Sequence, residues 1–408
     1  MMALPSTAEV VVVGAGPAGL AAACTLLANG IDVVVIDAAP EPSTSSRAVV
    51  IHSRTLEVMD DLGISEAVLS EGMIMEEGLV RSGTSVLGRI VFKALRTKYP
   101  MAVTLAQADT ERILKNRLEA LGGRIHRGVS ATRVSETANG VQVDVNVSNE
   151  KSTSILAQYA IAADGRRSST REQLGIKTEG GDNSQSFILA DVKLVSTGSL
   201  QPDCFQEFLS PEGLLLYLPL PRGIWRVVTT ADTPRADLDA ALFQRMTDER
   251  AGPGIKIGDV LWMSRFKVSH GLAEHYRKGK VFLAGDTAHW HPPTGGQVIQ
   301  SNPCLREATL LTFFQGMNIS IQDGCRLANI LTDALRYDET SAADLDRYEN
   351  ERRPIAAGVV SLTNRLTVLN TLTNPALCAL RNWVLWTLLK VLWINYGLAW
   401  SMAGLGHR

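Results

Sequence analysis

Residues 9–37 read EVVVVGAGPAGLAAACTLLANGIDVVVID. Val10 to Val13 form an apolar, β-branched run short enough for a buried parallel strand. Gly14, Gly16 and Gly19 then spell GxGxxG, with Pro17 and Ala18 opening an alanine-rich helix that Gly30 stops. Val33 to Ile36 give a second strand, and Asp37 closes it. Gly14 allows the tight turn, Gly16 lets a pyrophosphate approach the backbone, and Gly19 lets helix and strand pack closely. Phosphates belong at the helix N-terminus, where free N–H groups and the dipole favour anions. Asp37, 18 residues after Gly19, stands where a carboxylate takes the ribose hydroxyls. Strand, helix, second strand and acid are in register, so the stretch reads as a dinucleotide-binding unit.

At 408 residues the chain can bury a sizeable core in two or three domains. A hydrophobic share of 45% with 20% charged residues describes a globular protein. The net charge of −2 gives no polyelectrolyte argument for nucleic acid. Five scattered cysteines without a CxxC pair suggest a reducing, cytoplasmic compartment and argue against a disulfide framework or a zinc site. The N-terminal apolar run lacks a basic n-region, and its glycines fall in the fingerprint, so it reads as a strand rather than a secretion signal.

Arg47 ends the turn-rich PEPSTSSR, either answering phosphate charge or standing as a solvated loop cation. A strand AVVIH and a helix from Ser53 to Leu62 follow, with Gly63 as its stop. Residues 80–106 read as irregular and strand-like. The next helix begins near Asp109 or Thr110, with Thr110 as N-cap and Ile113, Leu114, Leu118 and Leu121 on its apolar face. Asn139-Gly140 marks a hairpin. ILAQYAIAAD then delivers Asp164-Gly165 and DGRRSSTR, a turn aimed at a ligand or an ordinary strand-to-helix turn. From Ser186 to Ser269 the runs rich in aromatic and β-branched residues predict an antiparallel, mainly β insert. The chain returns in KVFLAGDTAHWHPPTGGQ, residues 280–297, a buried-type strand and a tight loop. His289 and His291 form an HxH with no third ligand nearby, which argues against a metal.

GAGPAGL with Asp37, DGRRSSTR and KVFLAGDTAHWHPPTGGQ together resemble the FAD-dependent aromatic hydroxylases, the flavoprotein monooxygenases related to p-hydroxybenzoate and phenol hydroxylase. The motifs keep that family's order, and the likeness covers about residues 8 to 360. It implies an α/β protein in three parts. A discontinuous Rossmann-like FAD domain would take residues 1–79, 107–182 and 271–365, and a β-sheet substrate domain residues 80–106 and 183–270. Apolar C-terminal helices would fill 366–408. Carried over by motif, Gly14, Gly16, Pro17, Ala18 and Gly19 would hold the pyrophosphate and Asp37 the adenosine ribose. Arg47 and Gln107 would line the cofactor path, and Asp164 and Gly165 would serve both FAD and NAD(P)H. Asp286 would lie near the ribityl chain, Pro293, Gly295 and Gly296 beside the isoalloxazine. Gly316, Met317 and Asn318 would open a helix pointing at the flavin. Gly271 departs from the basic residue that family members often carry there.

In this family the loop continues as GGQGMN. Here GGQ ends at Gln297 and GMN resumes at Gly316, with 18 residues, Val298 to Gln315, between them. A valine codon can begin and a glutamine codon end with the two termini of a spliceosomal intron, and Phe313-Phe314 would encode its pyrimidine tract. We read the insert as a retained intron in a fungal gene, against a true surface insertion. A spliced transcript that keeps all 18 codons would overturn that reading.

Between Trp383 and Met402 only Lys390 is charged, a length that could just span a bilayer. Asn395, Tyr396 and Gly397 interrupt it, so helices packed on the protein body are expected, with membrane association the alternative. The resemblance implies FAD with NAD(P)H as a transient co-substrate, since no second GxGxxG follows a strand. Reduced flavin would add O2 to give a C4a-hydroperoxide that hydroxylates a phenolic or polyketide-like aromatic. Tyr217, Arg226 and His270 are the candidates for a catalytic group in the β insert. A Baeyer–Villiger enzyme or oxidase on the same fold, a flavin-free dehydrogenase and an inactive relative disturbed by the insert are the alternatives.

Overall fold

In the computed structural model, residues 4–42, 48–147, 152–231, 238–290, 315–337, 341–370, 372 and 374–407 are described. The valine run becomes the strand Thr7–Val13, third from one side of the main path of an eight-stranded sheet. It pairs in parallel with Val33–Asp37 on one side and Thr153–Ala162 on the other. Ile125–Arg127 and Val281–Leu283 extend the parallel set outward. Side chains alternate across a strand, so Val10 and Val12 face the helices and Val11 and Val13 face the hairpin Val129–Thr137/Gly140–Val147.

Two helices cover the central strand: Pro17–Ala28 from the fingerprint and Gln315–Arg336 from the GMN segment. They approach through Gly324, where a Cβ would sit 2.2 Å from the Ala18 carbonyl oxygen and 3.0 Å from the Ala22 nitrogen. Met317, Ile321, Ala328 and Leu331, four or three residues apart around Gly324, are buried. The helix expected to begin near Asp109 or Thr110 starts earlier, as Gln107–Ala120. Thr110 is not its cap, because its hydroxyl turns inward to the Ala106 carbonyl, 3.3 Å away.

The second eight-stranded sheet runs His289–Trp290, Ile255–Ala273, Thr178–Thr197, Ile224–Ala231, Gly213–Leu220, Cys204–Ser210, Glu77–Ser82, Ser85–Val91. It is antiparallel except where Cys204–Ser210 lies along Glu77–Ser82. One face, with Tyr217 and Leu215, is covered by the helix Ala240–Ala251, capped by Asp239. The opposite face, with Leu214, Leu216 and Leu218, meets the helices Pro375–Leu388 and Leu392–Met402. Those two helices are bent by 101° to one another, and no single helix among the described residues is long and apolar enough to cross a membrane. Buried Asn395 accepts the Val91 N–H at 3.2 Å, and Gly88 leaves room for Leu389, whose Cδ1 would lie 2.4 Å from a Cβ there. The interruption that breaks the apolar run is therefore what attaches the tail to the sheet.

Gly324→Leu is expected to force the two central helices apart and to cost about 1–3 kcal/mol, the usual range for overpacking a tight contact. Urea unfolding followed by far-UV dichroism measures it, and an unchanged midpoint would contradict the close backbone approach.

Candidate cofactor crevice and substrate sheet

Register brings four turns to one edge. Val13 pairs with Ile36 and with Ala162, and Ala162 pairs with Leu283. Residues 14–16, Asp37, 163–165 and 285–287 therefore emerge side by side at the carboxyl ends of parallel strands. The chain first builds outward on one side of Thr7–Val13 and later on the other, so this edge is a topological switch point, where open α/β sheets bind ligands.

Gly14 has φ +109°, and its N–H meets the Ile36 carbonyl at 2.8 Å. A Cβ there would stand 2.2 Å from the Ala163 carbonyl oxygen, and one on Gly19 would stand 2.0 Å from the Gly14 oxygen. Gly16 differs: its φ is −80°, and among the described residues beyond its own chain neighbours a Cβ would meet nothing within 4 Å. It is the N-cap of Pro17–Ala28 and, having no side chain, supplies no cap bond to the first turn. The Asp37 carboxylate accepts the Ala15 N–H at 2.7 Å and the Ala39 N–H at 2.8 Å, with Arg127 3.7 Å away. Gln107 opens its helix close by, its N–H on the Ala48 carbonyl and its amide on Glu111 at 2.8 Å.

The turn after Thr153–Ala162 is tied to the turn after Val281–Leu283 by Thr287, a residue the sequence reading passed over. Its hydroxyl accepts the Gly165 N–H at 2.9 Å and donates to Asp164 at 3.2 Å. Buried Arg171 donates to the Thr287 carbonyl at 3.0 Å, and Asp164 accepts the Thr170 N–H at 3.2 Å. Asp286 lies exposed in the same short turn. DGRRSSTR is thus a strand-to-helix turn whose helix, Ser169–Gln173, is capped by Ser168. Gly271 also gains a physical account: a Cβ there would stand 2.1 Å from the Trp290 ring. That indole lies against the strand with the Arg166 and Arg171 guanidinium groups 5.5 and 5.3 Å from its centre.

Gly316, Met317 and Asn318 lie in the first turn of Gln315–Arg336. Asn318 is fully buried, accepting the His52 N–H at 2.9 Å and donating to the Val50 carbonyl at 2.8 Å, so its amide holds the short strand Val50–Ile51. Gln315, counted with the insert, is the first residue of this helix and donates to the Met402 carbonyl at 3.0 Å. Arg47, Pro293, Gly295, Gly296, His291 and residues 298–314 lie outside the described residues. No group of three or more metal-binding side chains occurs among the described residues.

His289 has a different partner from the one HxH suggests. Its Nε2 bonds Asp323 from the GMN helix, and Arg352 donates to the other carboxylate oxygen at 2.6 Å, all three side chains buried. Burial pushes the Asp323 carboxyl up, but Arg352 and His289 outweigh it and hold it below the usual carboxylate range. This cluster joins the segment entering the glycine loop to the helix leaving it.

Of the three catalytic candidates, Tyr217 is corrected. Its ring belongs to the core under Ala240–Ala251, its hydroxyl 2.7 Å from Thr247, and burial drives its pKa well up. Alternation puts it on the sheet face turned away from the C-terminal helices. Arg226 lies on the other face in a two-point pair with Asp191, 2.7 and 2.8 Å, its guanidinium 5.4 Å from the Trp262 ring. His270 precedes Gly271 in the strand that meets Trp290; burial lowers its pKa, and its Nδ1 is buried with no hydrogen-bond partner.

A family model described as an FAD binding domain matches residues 7–363. The chain belongs to the FAD-dependent aromatic hydroxylases. It is 31% identical over 380 residues to an uncharacterized aromatic compound monooxygenase of Bacillus subtilis, covering 90% of this chain and 70% of that one. It is 31% identical over 376 residues to 6-methylpretetramide 4-monooxygenase of Streptomyces rimosus, covering 90% and 63%. The structure of the OxyS anhydrotetracycline hydroxylase from Streptomyces rimosus superposes with a TM-score of 0.76 at 30% identity, over 98% of this chain and 76% of that one. The chain thus spans about two thirds of the length of these curated relatives. Both are bacterial, which lends the fungal reading no support. As a member of this family, the hydroxylase is an FAD-dependent monooxygenase.

Asp323→Asn is expected to destabilise the hydroxylase by about 3–5 kcal/mol at neutral pH, because Arg352 is left buried without its anion. A carboxyl with a lowered folded-state pKa stabilises above its unfolded value, and that stability is lost as pH falls through the folded one. The difference between variant and parent should therefore shrink below the ordinary carboxylate range. Denaturant midpoints across an acid series check this, and a constant difference would contradict it.

Proposed function

We propose that this hydroxylase uses NAD(P)H and O2 to hydroxylate a phenolic or polyketide-like aromatic, with FAD seated along the edge defined by Gly14–Gly19, Asp37, Asp164–Gly165 and Asp286. The observation that carries it is Gly16. Among the described residues the first turn of Pro17–Ala28 has no side-chain cap, and Gly16, the fingerprint glycine with open space around its Cβ position, lies in front of it. That is the space a pyrophosphate fills. Asp37 is fixed by two backbone N–H groups, which orients the carboxylate for ribose hydroxyls.

When bound, FAD would supply the redox chemistry that links NAD(P)H to O2, and the protein the binding, orientation and water exclusion. Thr287 and Arg171 hold the Asp164 and Asp286 turns in one arrangement toward the cofactor. The helix beginning at Gln315 and Gly316 would offer its N-terminal N–H groups to a bound flavin ring, whose reduced form carries negative charge. The aromatic substrate is assigned to the second sheet at its edge beside the cofactor turns, where the strand carrying His270 and Gly271 pairs with Trp290. His270, neutral at physiological pH because burial lowers its pKa, is the remaining proton acceptor for a phenol. The aromatic substrates named for the relatives support this class.

The insert can be tested in the same experiment. Removing Val298–Gln315 joins Gln297 to Gly316, so the helix still begins with glutamine. The purified parent and the shortened variant are compared for visible flavin absorption, NAD(P)H oxidation and oxygen incorporation into product. Flavin retention and turnover in the shortened variant alone would support both the hydroxylase and the intron readings. Equal turnover in both would keep the hydroxylase and remove the intron. Neither chain holding flavin would overturn the proposal, and oxidation of NAD(P)H with no oxygen in product would favour an oxidase.

A further inference from the structure

Half of the large apolar side chains exposed among the described residues lie within 17 positions of the C-terminal helix pair. They are Leu377, Leu380, Trp383, Trp386, Leu392 and Trp393, and Leu392 and Trp393 are 87% and 73% exposed. The opposite side of Pro375–Leu388 is satisfied: Cys378, Arg381 and Leu385 are buried, and Leu385 and Leu389 pack into the sheet. Soluble surfaces tolerate scattered apolar residues, but a concentration of this kind marks an interaction site. Its position matters as well. Leu392 and Trp393 stand just after the 101° bend between the helices, where Lys390 is exposed and its Nζ lies 3.4 Å from the centre of the Trp386 ring.

The charge pattern selects the occupant. Residues 352–408 contain six Lys or Arg and no Asp or Glu, so all 42 acidic side chains precede them. Within the helix pair the charged groups are buried Arg381 and exposed Lys390. A twofold interface between two copies must be self-complementary, and this patch offers Lys390 no anion from its own kind. Tryptophan beside a long cation is instead the composition of a bilayer's interfacial zone, where indoles sit at headgroup depth and lysine reaches the phosphates. Neither helix spans a bilayer, so the fit is to its surface.

We propose that the bend between Pro375–Leu388 and Leu392–Met402 docks the protein on an anionic lipid surface, with Leu392 and Trp393 entering the headgroup boundary and Lys390 bonding headgroup phosphates. The docking bend belongs to helices that cover the apolar face of the second sheet, which places that face close to the bilayer. Because the site is read from surface composition, its test needs no turnover and stands or falls apart from the proposed reaction.

The full chain is floated with phosphatidylcholine vesicles, with and without about a third phosphatidylglycerol. Partition should be several-fold stronger on the anionic vesicles, since an interfacial cation contributes about 1 kcal/mol. The double variant Leu392→Ser/Trp393→Ser should lose about tenfold or more of that partition, with its far-UV dichroism unchanged because both side chains are exposed. No flotation on anionic vesicles, equal partition on both kinds, or binding that survives the double variant would each overturn the proposal. Light scattering supplies one more outcome: a dimer that the double variant dissociates, without vesicle binding, would assign the patch to a second copy and likewise overturn it.

Discussion

The nucleotide half depends on two close backbone approaches. The Gly14 carbonyl occupies the space a Cβ on residue 19 would need, and the Ala163 carbonyl occupies that of residue 14. These contacts let the fingerprint helix lie against its strand and let the neighbouring strand end at the same level. Once Val13, Ile36, Ala162 and Leu283 share that level, the turns that follow them can only converge. Gly324 repeats the device one layer out, bringing the GMN helix onto the fingerprint helix.

Convergence alone would leave four loops free to move. Thr287 binds two of them through a single hydroxyl, and the buried His289–Asp323–Arg352 cluster holds the base of the glycine loop to the helix that follows it. Burying such a cluster is costly unless every charge has its partner, so this region has one well-defined packing. The second sheet is anchored differently. Trp290 spans from the edge of that sheet to Arg166 and Arg171 of the DGRRSSTR segment, and the C-terminal helices close the sheet's apolar face.

Much of this was legible because it is local. The fingerprint, its strand spacing and the Asn139-Gly140 hairpin depend on residues close in sequence, and their order matched a family. What escaped depends on distance. Asp323 and Arg352 lie 34 and 29 residues from the atoms they meet, and nothing in HxH distinguishes a buried ion pair from a ligand pair. Thr287 was hidden because Gly285 and Asp286 drew the reading of that turn. Tyr217 was named as a candidate for a simpler reason: alternation along Gly213–Leu220 puts Leu216 and Leu218 on one face and Tyr217 on the other, but which helix covers each face is settled only by tertiary packing. The tail resisted for a related reason, since the same apolar residues suit a packed helix and an exposed one.

The central claim is that Gly16 is glycine for a ligand and not for the fold. FAD affinity of Gly16→Val, measured by quenching of flavin fluorescence on titration into protein stripped of cofactor, tests it most directly. The backbone at φ −80° suits valine, and among the described residues beyond its own chain neighbours nothing lies within 4 Å of its Cβ, so the variant should keep its melting temperature and lose about a hundredfold or more in FAD affinity, as expected when a bulky side chain fills an anion cradle. Parent-like affinity in the folded variant would contradict the placement of the pyrophosphate and, with it, the crevice as the cofactor site.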